Sequence, residues 1–137
     1  MGLILDSSVL IAEERTGQNA FEALTHIADR AHGEELAISV VTIAELAHGI
    51  ARSNTPQRGA LRRQFLEELF GAVPVHPVTV PIALRAGMMD GESTTRGLRI
   101  PFSDLLIGVT ALELRYKVAT VNVRHFRMIA GLEVVSL

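Results

Sequence analysis

Residues 2–11 read GLILDSSVLI: Gly2, Leu3, Ile4 and Leu5, then Asp6, Ser7 and Ser8, then Val9, Leu10 and Ile11. An apolar run this short, stopped by an acid, suits a strand buried on both faces. The apolar residues that resume after the serines predict a helix over residues 8–15. The same grammar of strand, polar stop and helix recurs along the chain. Residues 36–41 (LAISVV) predict a second buried strand, followed by a helix over 42–52 with Thr42 as its cap. Residues 118–121 (VATV) predict another strand, stopped by Asn122. A short helix over 124–130 then leads through Gly131 to a last strand over 133–136.

The segments between follow the helical period. Phe21, Leu24, Ile27 and Ala31 mark a helix over 19–32. Leu61, Phe65 and Leu69 mark one over 59–70, after a turn at 53–59. Helices are also predicted over 80–89 and 103–114, separated by a polar loop at 90–101. Residues 73–78 are β-rich but carry Pro74 and Pro77, which confines them to a short edge strand. Strands alternating with helices predict an α/β fold: a three-layer sandwich with a mainly parallel central sheet and one domain over residues 1–137. In such sheets the site lies beyond the carboxyl ends of the strands.

Composition narrows the chemistry. The 137 residues are 48% hydrophobic and 20% charged, which fits a packed core and excludes disorder. There is no Cys, hence no disulfide scaffold, no thiolate nucleophile and no Cys-based zinc site. The longest uncharged apolar stretch, residues 36–44, is far short of the roughly 18 residues of a membrane span. The N-terminal run lacks a basic segment and contains Asp6, so it is a poor signal peptide. The reading is a soluble cytoplasmic protein.

The net charge of −2 hides an asymmetry: residues 1–51 hold eight acids and two bases, residues 52–137 seven acids and eleven bases. Arginine clusters in the basic part suit phosphate contacts, because the guanidinium fork donates in pairs. Arg62, Arg63 and Arg124 are the leading candidates for such contacts, with Arg52, Arg58, Arg96, Arg99 and Arg127 behind them. Five Phe and one Tyr are too few and scattered for an aromatic stacking platform.

Asp6, Glu45 and Asp104 stand against apolar sequence, where a lone charge is costly without a partner. A hard divalent cation is one such partner. Structural roles compete for each: Asp6 as a helix cap, Glu45 in a capping box with Thr42, Asp104 at a helix start, and Asn122 as another cap. What favours a shared site is that Asp6, Asp104 and Asn122 fall at or beyond predicted strand ends, with Glu45 one helical turn past another.

Four segments in order, LILDSSVLI (3–11), SVVTIAELAHGI (39–50), IPFSDLLIGVTAL (100–112) and VATVNVRHFRMI (118–129), resemble the PIN-domain ribonucleases, and among them the VapC-type toxins of bacterial toxin–antitoxin operons. The resemblance implies a small α/β/α sandwich. It also implies catalytic acids at Asp6, Glu45 and Asp104, with Asp6 and Asp104 holding Mg2+ or Mn2+. The family's fourth motif falls on Thr120 to Phe126, where Asn122 and His125 stand in positions that can carry an acid. Asn122 is the fourth candidate, as a neutral oxygen donor. Asp90 and Glu92 are spare acids. The implied activity is metal-dependent hydrolysis of RNA, with a VapB-type antitoxin as partner and a homodimer as the assembly. The competing reading is a non-catalytic PIN-like module that binds RNA or protein.

Overall fold

The computed structural model describes all of residues 1–137. Its elements, in order, are β1 (Gly2–Leu5), α1 (Ser7–Arg15), α2 (Ala20–Arg30), β2 (Glu35–Ser39), α3 (Val40–Ala51), α4 (Pro56–Phe70), β3 (Val75–His76), α5 (Val80–Thr95), α6 (Phe102–Leu114), β4 (Lys117–Thr120), α7 (Val123–Phe126) and β5 (Val134–Ser136). The five strands form one sheet in the order β3-β2-β1-β4-β5, and every pairing is parallel.

The alternation along β1 explains the layers. Leu3 and Leu5 pack into a cluster with Val9, Leu10, Ala23, Ile27, Phe65 and Leu69, which belong to α1, α2 and α4. Ile4, between them, packs the opposite way, with Leu105, Ile107 and Ala111 of α6 and Phe126 of α7. β4 divides likewise: Ala119 joins the first cluster and Val118 the second. Successive strand side chains point to opposite faces, so a strand apolar at every position has helices on both sides. The α/β sandwich expected from the sequence is therefore the observed fold.

The chain leaves β1 toward β2 and β3, then returns to add β4 and β5 on the other side. The order reverses between β1 and β4, so the crevice beyond their carboxyl ends is the topological switch point. Asp6 N–H donates to Ala119 O across this seam at 2.9 Å.

Several boundaries differ from the sequence reading. Val40 and Val41 belong to α3, which is capped by Ser39: its hydroxyl accepts from Val41 N–H at 3.1 Å. Thr42 is not the cap. It is fully buried and its hydroxyl faces Leu5 O at 3.4 Å, so Glu45 has no capping box to serve. α4 starts at Pro56 rather than 59, because Thr55 caps it and proline is suited to a first helical turn. α5 runs to Thr95, so Asp90 and Glu92 are helical, not in a loop. Its inward stripe of Ile82, Ala86 and Ser93 is small and partly polar, which hides the helical period.

Candidate active site

Three carboxylates converge on the switch point, each delivered by a different element. Asp6 follows β1 and occupies the position before α1, but its side chain makes no cap bond. Its Oδ2 instead accepts from the hydroxyls of Ser8 at 2.6 Å and Thr120 at 3.0 Å. Those hydroxyls lie 3.2 Å from each other, and each also accepts a backbone N–H, Ser8 from Val121 and Thr120 from Asn122. The network welds the end of β1 to the end of β4 and fixes the rotamer of Asp6, a residue only 5% exposed.

Glu45 reaches in from the second turn of α3. Ser7 donates to its Oε1 at 3.1 Å. Asp104 sits in the first turn of α6, and His125 of α7 lies with Nδ1 3.0 Å from its Oδ2. α7 is held against α6 by buried Phe126 and by close packing at Gly108, where an added Cβ would come within 2.5 Å of Ile129 Cδ1.

A single pattern runs through these contacts. Each acid has one oxygen tied by side-chain donors, whereas Asp6 Oδ1, Glu45 Oε2 and Asp104 Oδ1 accept no hydrogen bond within the protein. None of the three has a Lys or Arg partner. Burial pushes the Glu45 carboxyl above its ordinary range; the Ser7 hydrogen bond draws it back, and the charges of Asp6 and Asp104 raise it further. Burial likewise raises Asp104, followed by repulsion from Asp6, against the opposing pull of His125. A cluster whose acids resist ionisation is short of positive charge.

No three acid or histidine side chains are already gathered at metal-holding distance. The donor set nevertheless fits a hard divalent cation: it offers oxygens only, with one open on each carboxylate. Magnesium usually keeps several waters and takes only one or two carboxylates directly, so a tight protein cage is not required.

The other sequence candidates fall around this centre. Asn122 is exposed at the rim, in the position before α7, without a side-chain cap bond. Arg62 donates to Gly49 O at 2.7 Å and Ser53 Oγ at 3.1 Å, and so braces α4 against the end of α3. Beside Glu45 it also lines a cavity of about 130 Å³ with Arg15, Ile11 and Leu46. Arg63 and Arg124 are exposed and form no ion pair. Sequence reasoning missed the tethers Ser7, Ser8, Thr120 and, as a donor to Asp104, His125. The run of hydroxyls after Asp6 was their only visible signal.

Comparison with known proteins agrees with this picture. Residues 3–132 match the PIN domain family profile. The chain is 38% identical over 131 residues to Ribonuclease VapC10 of Mycobacterium tuberculosis, covering 96% of this chain and 90% of that protein. It is 28% identical to Ribonuclease VapC1 of Rickettsia felis over 137 residues, covering 100% of this chain and 97% of that one. Among solved structures, VapBC2 of Rickettsia felis bound to a promoter DNA fragment superposes with a TM-score of 0.80 at 20% identity, covering 100% and 99% of the two chains. VapBC-5 of Mycobacterium tuberculosis, a member of the VapBC family of toxin–antitoxin systems, does so with a TM-score of 0.72 at 27% identity, covering 99% and 96%. The fold, the ordered motifs and these likenesses agree: the chain belongs to the PIN-domain family, among the VapC ribonucleases.

Proposed function

We propose that this protein is a metal-dependent endoribonuclease and the toxin of a toxin–antitoxin pair, with residues 1–137 acting as one domain. The observation that carries the reading is the set of three tethered carboxylates at the switch point, each with one open oxygen. The ribonuclease names of the VapC relatives support the activity, and the toxin–antitoxin complexes among the structural likenesses support an antitoxin partner. The homodimer and the cytoplasmic setting follow from the family resemblance.

Asp6 Oδ1 and Asp104 Oδ1 would hold Mg2+ or Mn2+. When bound, such a cation supplies a Lewis acid that offsets charge growing on the phosphate and makes nearby water more acidic. Glu45 Oε2 takes the proton of the attacking water, a role helped by burial, which raises its pKa and makes it a stronger base. Ser7 holds that carboxylate in place, as Ser8 and Thr120 hold Asp6. Water oxygen bonds to phosphorus, the bond to the 3′ oxygen breaks, and that oxygen takes a proton from solvent while Glu45 returns its own to solvent. The products are 5′-phosphate and 3′-hydroxyl ends. Asn122, at the rim, contributes a neutral oxygen beside the acids.

Incubation of purified protein with total RNA tests this. Cleavage in Mg2+ or Mn2+, abolished by excess EDTA and by Asp6→Ala, is expected. Undiminished cleavage in EDTA overturns the mechanism.

A further inference from the structure

Beyond the acids lies a second cavity, of about 480 Å³, walled by Asp90 and Thr94 of α5, Leu98, Arg99 and Pro101 of the following segment, and His125. His125 belongs to both places: its Nδ1 holds Asp104, and its ring forms part of this wall. The cavity is therefore one side chain away from Asp104, with His125 between them. Its volume is in the range of about 300–1,000 Å³ typical of small-ligand sites.

We propose that this cavity is the subsite for the nucleotide next to the scissile phosphate, with Arg99 holding that nucleotide's own phosphate. The inference rests on the ribonuclease reading and adds to it where the strand lies. Arg99 is exposed and forms no ion pair, although Asp90 lines the same cavity. Its guanidinium is free to receive an anion as a bidentate donor. Leu98 and Pro101 supply an apolar surface for a base. Asp90 and Thr94 are one turn apart on α5 and share a face, so an acceptor and a hydroxyl stand together there. That pair matches the amino-bearing edge of a base and repels phosphate, which directs the phosphate to Arg99. By contrast, Arg62 on the Glu45 side is already engaged with Gly49 O and Ser53 Oγ.

The test uses a fluorescent pool of random-sequence decaribonucleotides. Binding is followed by anisotropy in EDTA over a salt series, and cleavage by initial rates in Mg2+. Arg99→Gln is expected to weaken binding about tenfold or more. It should also reduce the slope of log affinity against log salt by about 0.7, the value for one lost contact on a single strand. In Mg2+ it should raise KM and leave kcat within about twofold of wild type. Arg115→Gln removes another unpaired arginine, beyond the amino end of β4 and so at the opposite end of the strands, and is expected to match wild type. If wild type binds and cleaves the pool and Arg99→Gln equals it, the subsite is wrong while the ribonuclease stands. A fall in kcat with KM unchanged also overturns it. If wild type neither binds nor cleaves, the ribonuclease reading falls and the subsite with it.

Discussion

His125 and Asp104 meet at 3.0 Å, from α7 and α6, the helices on either side of β4. A donor there does what a carboxylate does not: it stabilises the charge of Asp104 and leaves Oδ1 open. His125→Ala is expected to weaken Mn2+ binding about ten- to hundredfold in calorimetry, the usual cost of losing a hydrogen bond that orients a metal-ligating carboxylate. Asn places an amide donor near the position of Nδ1, so His125→Asn should recover most of that loss. Equal binding by wild type and His125→Ala would refute the role.

Thr120→Val tests the weld at Asp6. The hydroxyl accepts from Asn122 N–H and donates to Asp6 Oδ2, so valine leaves both without that partner while keeping the side chain's shape. A stability loss of about 1–3 kcal/mol in urea unfolding is expected. Cleavage should fall more than the folded fraction does, because the acid's rotamer loosens.

Glu45 sets function against stability. Its carboxyl titrates above 4.5 in the fold, so the folded chain holds that proton more tightly than the unfolded chain. The sign follows from linkage: this group's contribution is most favourable below its unfolded pKa and is lost as pH rises through the folded one. Glu45→Gln should therefore raise the melting temperature of the metal-free protein at pH 7, with a smaller gain at pH 4.5. The same variant should abolish cleavage. An unchanged or lower melting temperature at pH 7 would contradict the electrostatic account.

Glu13 is a buried acid outside the site. It is 5% exposed and held by Arg30 Nη2 at 2.6 Å and His26 Nδ1 at 2.9 Å, which pins α1 to α2. Arg30→Met leaves a buried acceptor short of its strongest donor. A cost of about 1–3 kcal/mol is expected, moderated by the partial exposure of Arg30. Cleavage per folded molecule should not change.

The fold was largely legible because β1 is apolar throughout and β2 and β4 are apolar at their centres, the pattern of strands buried between helix layers. The extent of α5 was not, since glycines at 87 and 91 and the buried Ser93 interrupt its period. The start of α3 was obscured by Val40 and Val41, β-formers that the Ser39 cap draws into a helix. Asp6, Glu45 and Asp104 were legible as acids in apolar surroundings. Their tethers were not, because Thr120 reaches Asp6 only through the β1–β4 pairing, which no local pattern reveals. Arg62 read as a phosphate ligand, yet its guanidinium first satisfies the carbonyl of Gly49.

The seam between β1 and β4 has a consequence for synthesis. Asp6 is made 114 residues before Thr120, one of the two hydroxyls that orient it, and His125 comes later still. A chain interrupted before β4 keeps Ser8 beside the first acid but lacks Thr120 and His125. The centre is therefore complete only once β4 and α7 have been made and have closed against β1 and α6.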